Sequence, residues 1–259
     1  MTGRWLRVTL PVVTTVAVLA AWWFGSLGTE SYYFPSLRAI MDRFVEVWLF
    51  DRFVTDALPS LWRLGAGFGI AVVAGVGLGL LLGLSASWRR ATEPIVEFLR
   101  AIPATALLPF ALLVFGIGDL MKVAIIALVC LWPVLLNTID GVRGLDHTLA
   151  DTARMYQVSG ARRLLSVVLP SAAPQIMAGA RTSLSLALIL MVTSEMVAST
   201  SGIGFFVLDA QRGFRILDMW TGIILLGVLG YLVNLVFTLV ERRLLRWHAG
   251  ARADTASAR

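Results

Sequence analysis

Glu195 stands in the apolar run "MVTSEMVAST", the one acid well inside such a run. A carboxylate at mid-bilayer depth costs at least about 2.5 kcal/mol on insertion scales, so it marks a functional candidate. Two readings are open for it: a gate or polar lining of a transport path, or a structural hydrogen bond to Ser194, Thr193 or nearby backbone. Catalytic frameworks are missing around it. His147 and His248 are the only histidines and lie far apart, with no H-E-x-x-H pair and no cysteine cluster, which removes the usual zinc sites. Cys130 is the single cysteine and sits among apolar residues, so it reads as packing and excludes an internal disulfide. There is no G-x-S-x-G elbow for a hydrolase. A phosphate-binding P-loop needs Gly-Lys followed by Ser or Thr. The one lysine, Lys122, lies between Met121 and Val123. The chain therefore reads as no enzyme, with no cofactor or metal of its own, and any ATP-driven work would fall to another subunit.

Composition explains what the sparse chemistry is embedded in. Of 259 residues 58% are hydrophobic and only 15% charged. Soluble domains carry about 25% charged residues, so most of this surface must face lipid. Disorder is excluded by the same figures. The net charge of +6 would suggest nucleic acid in a soluble protein. In a membrane protein it follows from basic residues gathered on cytoplasmic loops, and no nucleic-acid partner is expected.

A membrane-crossing helix needs roughly 20 apolar residues. Six candidates fit: about 8–24, 61–84, 95–116, 120–138, 179–199 and 219–240. The stretch from Leu64 to Leu84 carries no charge. The third span holds Glu97 and Arg100 near its start and is interrupted by Pro103 and Pro109, which predicts a bent helix facing protein or a cavity. Arg4 and Arg7 before an apolar stretch resemble a secretory signal. That stretch ends in Trp22, Trp23 and Phe24 without a small-residue cleavage site, so an uncleaved first helix is expected. With both termini inside, the inner segments hold 13 arginines (residues 4, 7, 89, 90, 143, 154, 162, 163, 242, 243, 246, 252, 259) against five outside (38, 43, 52, 212, 215). Cytoplasmic termini are the expectation. The outer segment 25–60 then carries an amphipathic helix from Ser36 to Phe53, with Leu37, Ile40, Phe44, Val47 and Trp48 at helical spacing. The tail 241–259 is cytoplasmic. Gly75, Gly79 and Gly83 recur every four residues, with Gly65 and Gly69 earlier in the same helix. Such faces let membrane helices pack closely.

Between the fourth and fifth spans lies an inner loop of about 40 residues, 140–178, longer than a passive connection needs. Leu145, Leu149, Ala153 and Tyr156 fall on one helical face, with Asp146, Asp151 and Arg154 towards another. Ser159-Gly160 breaks the pattern, and a second helix over Ala161–Val168 would run up to Pro170. A helix pair of this kind either docks a partner or lies on lipid.

The run "LADTARMYQVSGARRLLSVVLPSAAPQIMAGAR" resembles the cytoplasmic EAA loop of binding-protein-dependent ABC importer permeases. That pattern reads Glu-Ala-Ala, three residues, Gly, nine residues, an aliphatic, any residue, then Leu-Pro. Anchored on Leu169-Pro170, it places Asp151, Thr152 and Ala153 at the Glu-Ala-Ala positions and Val167 at the aliphatic one. Gln157 then departs from the Gly, which permits a turn with positive φ, and Gly160 is expected to take over that turn. Blocks elsewhere, "SLWRLGAGFGIAVVAGVGLGLLLGLS", "EPIVEFLRAIPATALLPFALLVFGIG", "NTIDGVRGLD", "SGIGFFVLDA" and "ERRLLRW", are similar to the nitrate/sulfonate/taurine branch of that family, in order from Ser60 onward.

The resemblance implies an all-α polytopic membrane protein of type I importer permease architecture in a bacterial plasma membrane, with residues 61–240 as permease core. It implies a second permease copy, with a homodimer favoured, two ATPase subunits that bind ATP and Mg, and an extracytoplasmic solute-binding protein. Asp151, Ala153, Arg154 and Tyr156 would dock the ATPase; Gln157, Ser159 and Gly160 would shape the turn; Leu169, Pro170 and Pro174 would end the loop and aim the fifth span. Glu195, Pro103 and Pro109 are assigned to the path or gate. Gly202 and Gly204, resembling a Gly-Leu-Gly turn, are assigned to an outer turn. Members of the branch carry nitrate, alkanesulfonates, taurine or pyrimidine- and vitamin-like precursors. A rival reading is an ion-coupled secondary transporter with Glu195 as proton carrier.

Overall fold

In the computed structural model, residues 2–26, 28 and 31–247 are described, and their secondary structure is helical throughout. Met1 and the end of the tail, with His248, Arg252 and Arg259, lie outside the described residues. The helices are α1 (Thr2–Gly25), α2 (Leu37–Val45), α3 (Leu58–Leu84), α4 (Ala86–Ala101), α5 (Ala104–Phe115), α6 (Asp119–Arg143), α7 (His147–Met155), α8 (Gly160–Arg163), α9 (Leu169–Val197), α10 (Ile203–Arg212) and α11 (Ile216–Leu244). Wider π-helical turns fill Glu46–Asp51, Phe53–Ala57 and Leu164–Val168. Among the described residues, four helical runs are long and apolar enough to cross a membrane: Phe53–Leu84, Asp119–Arg143, Gly160–Val197 and Ile216–Leu244. The α4–α5 pair makes a fifth if it counts as one broken span. α1 contains the expected first span, and its apolar run Val13–Gly25 is short for a crossing.

The expected third span is broken more sharply than a bend. α4 and α5 meet at 92°. Ile102 is extended (φ −70°, ψ 123°), the conformation that a following proline imposes, and Pro103 leads into α5 without a side-chain cap. α4 buries none of its residues and is amphipathic, whereas α5 is apolar with Pro109 inside it.

The chain forms two compact units, residues 1–59 with 201–227, and 60–200 with 228–259. In the second, α3, α6 and α9 form the core. A Cβ on Gly67, Gly75, Gly79 or Gly83 would lie 2.7, 2.8, 2.5 or 2.8 Å from the Cβ of Ile126, Val134, Thr138 or Val142. These glycines, with fully buried Ala71 between them, let α3 lie almost backbone-to-backbone on α6. A Cβ on Gly65 or Gly69 would meet nothing within 4 Å, so the close-packing stripe is 67-71-75-79-83 and excludes them. Across the α6–α9 contact, Cys130 and Ser183 bond reciprocally: Ser183 Oγ donates to Cys130 O at 2.6 Å and Cys130 Sγ to Ser183 O at 3.3 Å. Cys130 is buried packing, as its surroundings in sequence suggest.

In the first unit, Ser36 caps α2 by accepting the Ala39 N–H. Leu37, Ile40, Val47 and Trp48 are buried, matching the amphipathic pattern. Helical structure from Leu37 ends at Asp51, Arg52 breaks it at φ −108°, and the π-turn Phe53–Ala57 leads directly into α3. Trp48 meets Phe206 edge-on at 4.8 Å between centroids and donates its indole N–H to Thr221 Oγ1 at 3.2 Å. Asp56, 2% exposed, accepts the Gly202 N–H at 2.8 Å.

Candidate functional site

The candidate loop emerges from α6 at Gly144 and is built around α7. Asp146 caps α7, accepting the Leu149 N–H at 3.0 Å. That bond, with others from Thr148, holds the Asp146 carboxyl below its ordinary pKa, because they stabilise the ionised form. Asp151 and Arg154 form a 2.8 Å ion pair with both side chains about two-thirds exposed. Such a surface pair contributes little to stability, and both groups remain accessible to a partner. Ala153 is buried against the body of the unit, while Met155 and Tyr156 are 84% and 80% exposed. Two large apolar side chains at the tip of a helix, beside paired charges, make a surface suited to docking.

The end of α7 overturns one expectation about the turn. The Val158 N–H bonds Ala153 O and the Gln157 N–H bonds Arg154 O, both at 2.9 Å. These are the paired bonds of a Schellman motif. Its left-handed position is Gln157 itself, at φ 56°. Gly160 also has positive φ, at 55°, but it opens α8 and does not replace Gln157 in the motif. Glutamine thus occupies a conformation that favours glycine, held there by the two backbone bonds. Ser159 is extended and makes no side-chain cap.

Leu169, Pro170 and Pro174 do not end the loop as expected. Helix runs from Gly160 to Val197 without a break. Pro170 cannot donate a backbone N–H and its ring crowds the carbonyl four residues back. The π-turn at Leu164–Val168, closed by the Leu169 N–H on Leu164 O, widens the helix just ahead of the proline and relieves that clash. Val168, Ala172 and Ile176 then pack on Val142, with Leu145 and Leu164 beside them. The loop is therefore joined rigidly to α9.

At the opposite end of the same unit, about 39 Å along α9 at 1.5 Å per residue, Glu195 is fully enclosed. Its partners are neither Ser194 nor Thr193. Ser60 Oγ donates to Glu195 Oε1 and Oε2 at 2.8 and 2.9 Å, and Arg63 Nη1 donates to Oε1 at 2.7 Å. Arg63, 3% exposed, also donates through Nε to Asp119 Oδ1 at 2.7 Å. Lys122, 2% exposed, donates to Gly118 O at 3.0 Å and lies in the field of Arg63, Asp119 and Glu195. Sequence reasoning missed Ser60, Arg63, Asp119 and Lys122. The signal was present: Ser60 and Arg63 stand three apart, as do Asp119 and Lys122, so each pair shares a helix face, and an acid inside a membrane needs a counter-ion.

The remaining candidates stand apart from both clusters. Pro103 marks the α4–α5 break and Pro109 lies within α5. Gly202, at φ 120°, caps α10, and Gly204 is in its first turn. No group of three or more potential metal ligands occurs among the described residues.

Apolar helices long enough to cross a membrane, an exposed amphipathic loop at one end of the core and a charge cluster at the other are features of a membrane transport protein. The chain belongs to the binding-protein-dependent transport system inner membrane components, whose family model matches residues 71–246. It is 34% identical to the aliphatic sulfonates transport permease protein SsuC of Bacillus subtilis (strain 168), over 89% of this chain and 85% of that one. It is 31% identical to the bicarbonate transport system permease protein CmpB of Synechococcus elongatus, over 92% and 90%. With the taurine transport system permease protein TauC of Escherichia coli (strain K12) it shares 30% identity, over 93% and 90%. These relatives place it in the nitrate/sulfonate/taurine branch. Its fold matches a chain from inward-facing conformations of the MetNI methionine ABC transporter, with TM-score 0.66 at 21% identity, covering 76% of this chain and 97% of that one. The protein is a multi-pass permease subunit of an ABC importer in the bacterial plasma membrane, and not an enzyme.

Proposed function

We propose that this permease carries a small solute bearing an anionic group, of the sulfonate, taurine or bicarbonate kind, handed to it by an extracytoplasmic solute-binding protein. Relatives named for sulfonates, bicarbonate and taurine support that class. Six spans with both termini cytoplasmic, two copies of the chain and two ATPase subunits complete the assembly, with ATP and Mg bound by the ATPases alone.

In this reading the loop containing α7 inserts into the ATPase. Met155 and Tyr156 fill an apolar recess, Asp151 and Arg154 meet charges at its rim, and Ala153 anchors α7 to the permease. Gln157, Ser159 and Gly160 set the angle of the turn. Closure of the ATPases on ATP pushes α7, and the push reaches the outer end because the helix from Gly160 to Val197 is continuous. A rigid element biased from one end is a physical basis for coupling over such a distance. That unbroken helix is the observation on which the proposal rests. Leu169 and Pro170 serve it by placing the π-turn next to the loop. The α4–α5 break at Pro103, with Pro109 beyond it, is the flexible part of the path wall. Glu195 acts on the path by fixing α3, α6 and α9 to one another, without touching solute. Gly202 and Gly204 form the outer turn that positions α10.

Glu195 as a proton carrier in a secondary transporter is disfavoured, since Ser60 and Arg63 occupy its carboxylate. The test is co-purification of the chain with its genomic neighbours. An ATPase that co-purifies with the native chain and is lost with Asp151→Lys, while the spans still assemble, is the expected result. A chain that purifies alone and accumulates solute on a pH gradient without ATP would refute the proposal.

A further inference from the structure

The formal charges of four groups at the far end of the core sum to zero, Arg63 and Lys122 against Asp119 and Glu195, yet the groups are not equivalent. Glu195 is enclosed and takes bonds from both Ser60 and Arg63, which makes it a permanent counter-ion. Asp119 is held by Arg63 Nε alone among its hydrogen bonds, and its side chain is 56% exposed against 4% for Arg63. Lys122 donates one hydrogen bond, to Gly118 O, although an ammonium carries three N–H groups. Asp119 also opens α6, a helix of 25 residues whose cap residue, Gly118, offers no side chain to the first-turn N–H groups. Two buried cations and an uncapped helix N-terminus thus gather at one place, and the exposed anion of this cluster is a side chain held by one hydrogen-bonded contact.

Resting on the anionic-solute reading above, we infer that Arg63 Nε, Lys122 Nζ and the α6 N-terminus form an oxyanion station on the transport path, with Asp119 as its displaceable counter-ion. A sulfonate, carboxylate or bicarbonate group arriving from the exposed side takes the place of the Asp119 carboxylate, which turns out into water. The cluster keeps its zero sum through the exchange only if the group that enters it carries a single negative charge. A solute with no anionic group leaves two buried cations facing one buried acid. A dianion leaves excess negative charge in a poorly solvated site. Both are penalised because an uncompensated buried charge is costly. Between cargoes, Asp119 prevents that imbalance in the empty transporter.

The test uses the full importer, co-expressed with its ATPase and binding protein and reconstituted in nanodiscs. Three probes are titrated by thermal shift: ethanesulfonate, the neutral ethyl methyl sulfone, and sulfate as a dianion. Asp119→Asn removes the competitor and is expected to tighten ethanesulfonate binding about tenfold, the scale of one charged hydrogen bond. Lys122→Met is expected to weaken it by about the same factor, and Lys122→Arg to restore it. If Lys122→Met does not assemble, the gain in Asp119→Asn and the retention in Lys122→Arg carry the test. Unchanged ethanesulfonate affinity in Asp119→Asn, or equal binding of the sulfone, overturns the station. Transport of a solute that bears no anionic group would instead overturn the anionic-solute reading. Uptake of a monoanion with affinity indifferent to both positions would overturn the station alone.

Discussion

Removing either member of the Arg63–Glu195 pair should be far more damaging than removing both. Arg63 and Glu195 have side-chain exposures of 4% and 0% at an N–O distance of 2.7 Å. Breaking a buried pair by deleting one partner costs about 3–5 kcal/mol, since the survivor keeps its charge and loses its compensation. Glu195→Leu leaves Arg63 without its buried counter-ion but with Asp119, and Arg63→Met leaves Glu195 with the Ser60 hydroxyl and the field of Lys122. Each single variant should lose stability on that scale. The double variant Arg63→Met/Glu195→Leu removes one charge of each sign, so the cluster stays neutral with Asp119 and Lys122. It should recover about 2 kcal/mol or more of the summed single losses, a coupling within the range for contacting residues. The assay is the unfolding midpoint of the four proteins in one detergent, read by intrinsic tryptophan fluorescence. Losses that simply add in the double variant would refute the claim that this pair staples α3 to α9.

Three further outcomes are expected from local geometry. Gln157→Gly should strengthen the end of α7 by about 1 kcal/mol, because glycine occupies a left-handed position without steric cost; slower amide exchange at Val158 checks it. Gly79→Val places a branched side chain where even a Cβ lies 2.5 Å from Thr138, and should cost about 1–3 kcal/mol or more of assembly stability, whereas Gly69→Val, with open space around it, should be neutral in the same thermal assay. Asp146 has its pKa lowered on folding, so its capping contribution is present above the unfolded carboxylate pKa and is lost as pH falls through the lower folded value. Amide protection at Leu149 should therefore weaken on acidification below about pH 4 and become insensitive to pH there in Asp146→Asn.

Composition and period made the long helices legible in the sequence, through their apolar runs. The spacing of Leu37, Ile40, Val47 and Trp48 likewise announced the buried face of the amphipathic segment. The loop between α6 and α9 was legible because its motif ends in Leu169-Pro170. Its geometry was not. Proline at 170 argues locally for a helix end, yet a π-turn just ahead of it absorbs the missing hydrogen bond, and packing of Ala172 and Ile176 on Val142 keeps the helix going. Gln157 adopts a conformation that propensity disfavours because two backbone bonds hold it there. The buried cluster was half visible: Glu195 stood out, but Ser60 and Arg63 lie 135 and 132 residues from it in sequence. No periodicity within one helix reveals which distant helix supplies a counter-ion.

The central claim, that this chain is driven by an ATPase seated on α7, is tested most directly by cross-linking. The chain's only cysteine, Cys130, is buried, so a Tyr156→Cys variant presents one accessible thiol at the tip of the loop. In membranes holding the whole importer, a short bifunctional reagent should join that thiol to the ATPase subunit, with a yield that changes between nucleotide-free and ATP-trapped states. Leu113→Cys, equally exposed at 86% but on α5, should give no such product. Absence of any adduct at position 156 in an importer that still transports would contradict the account.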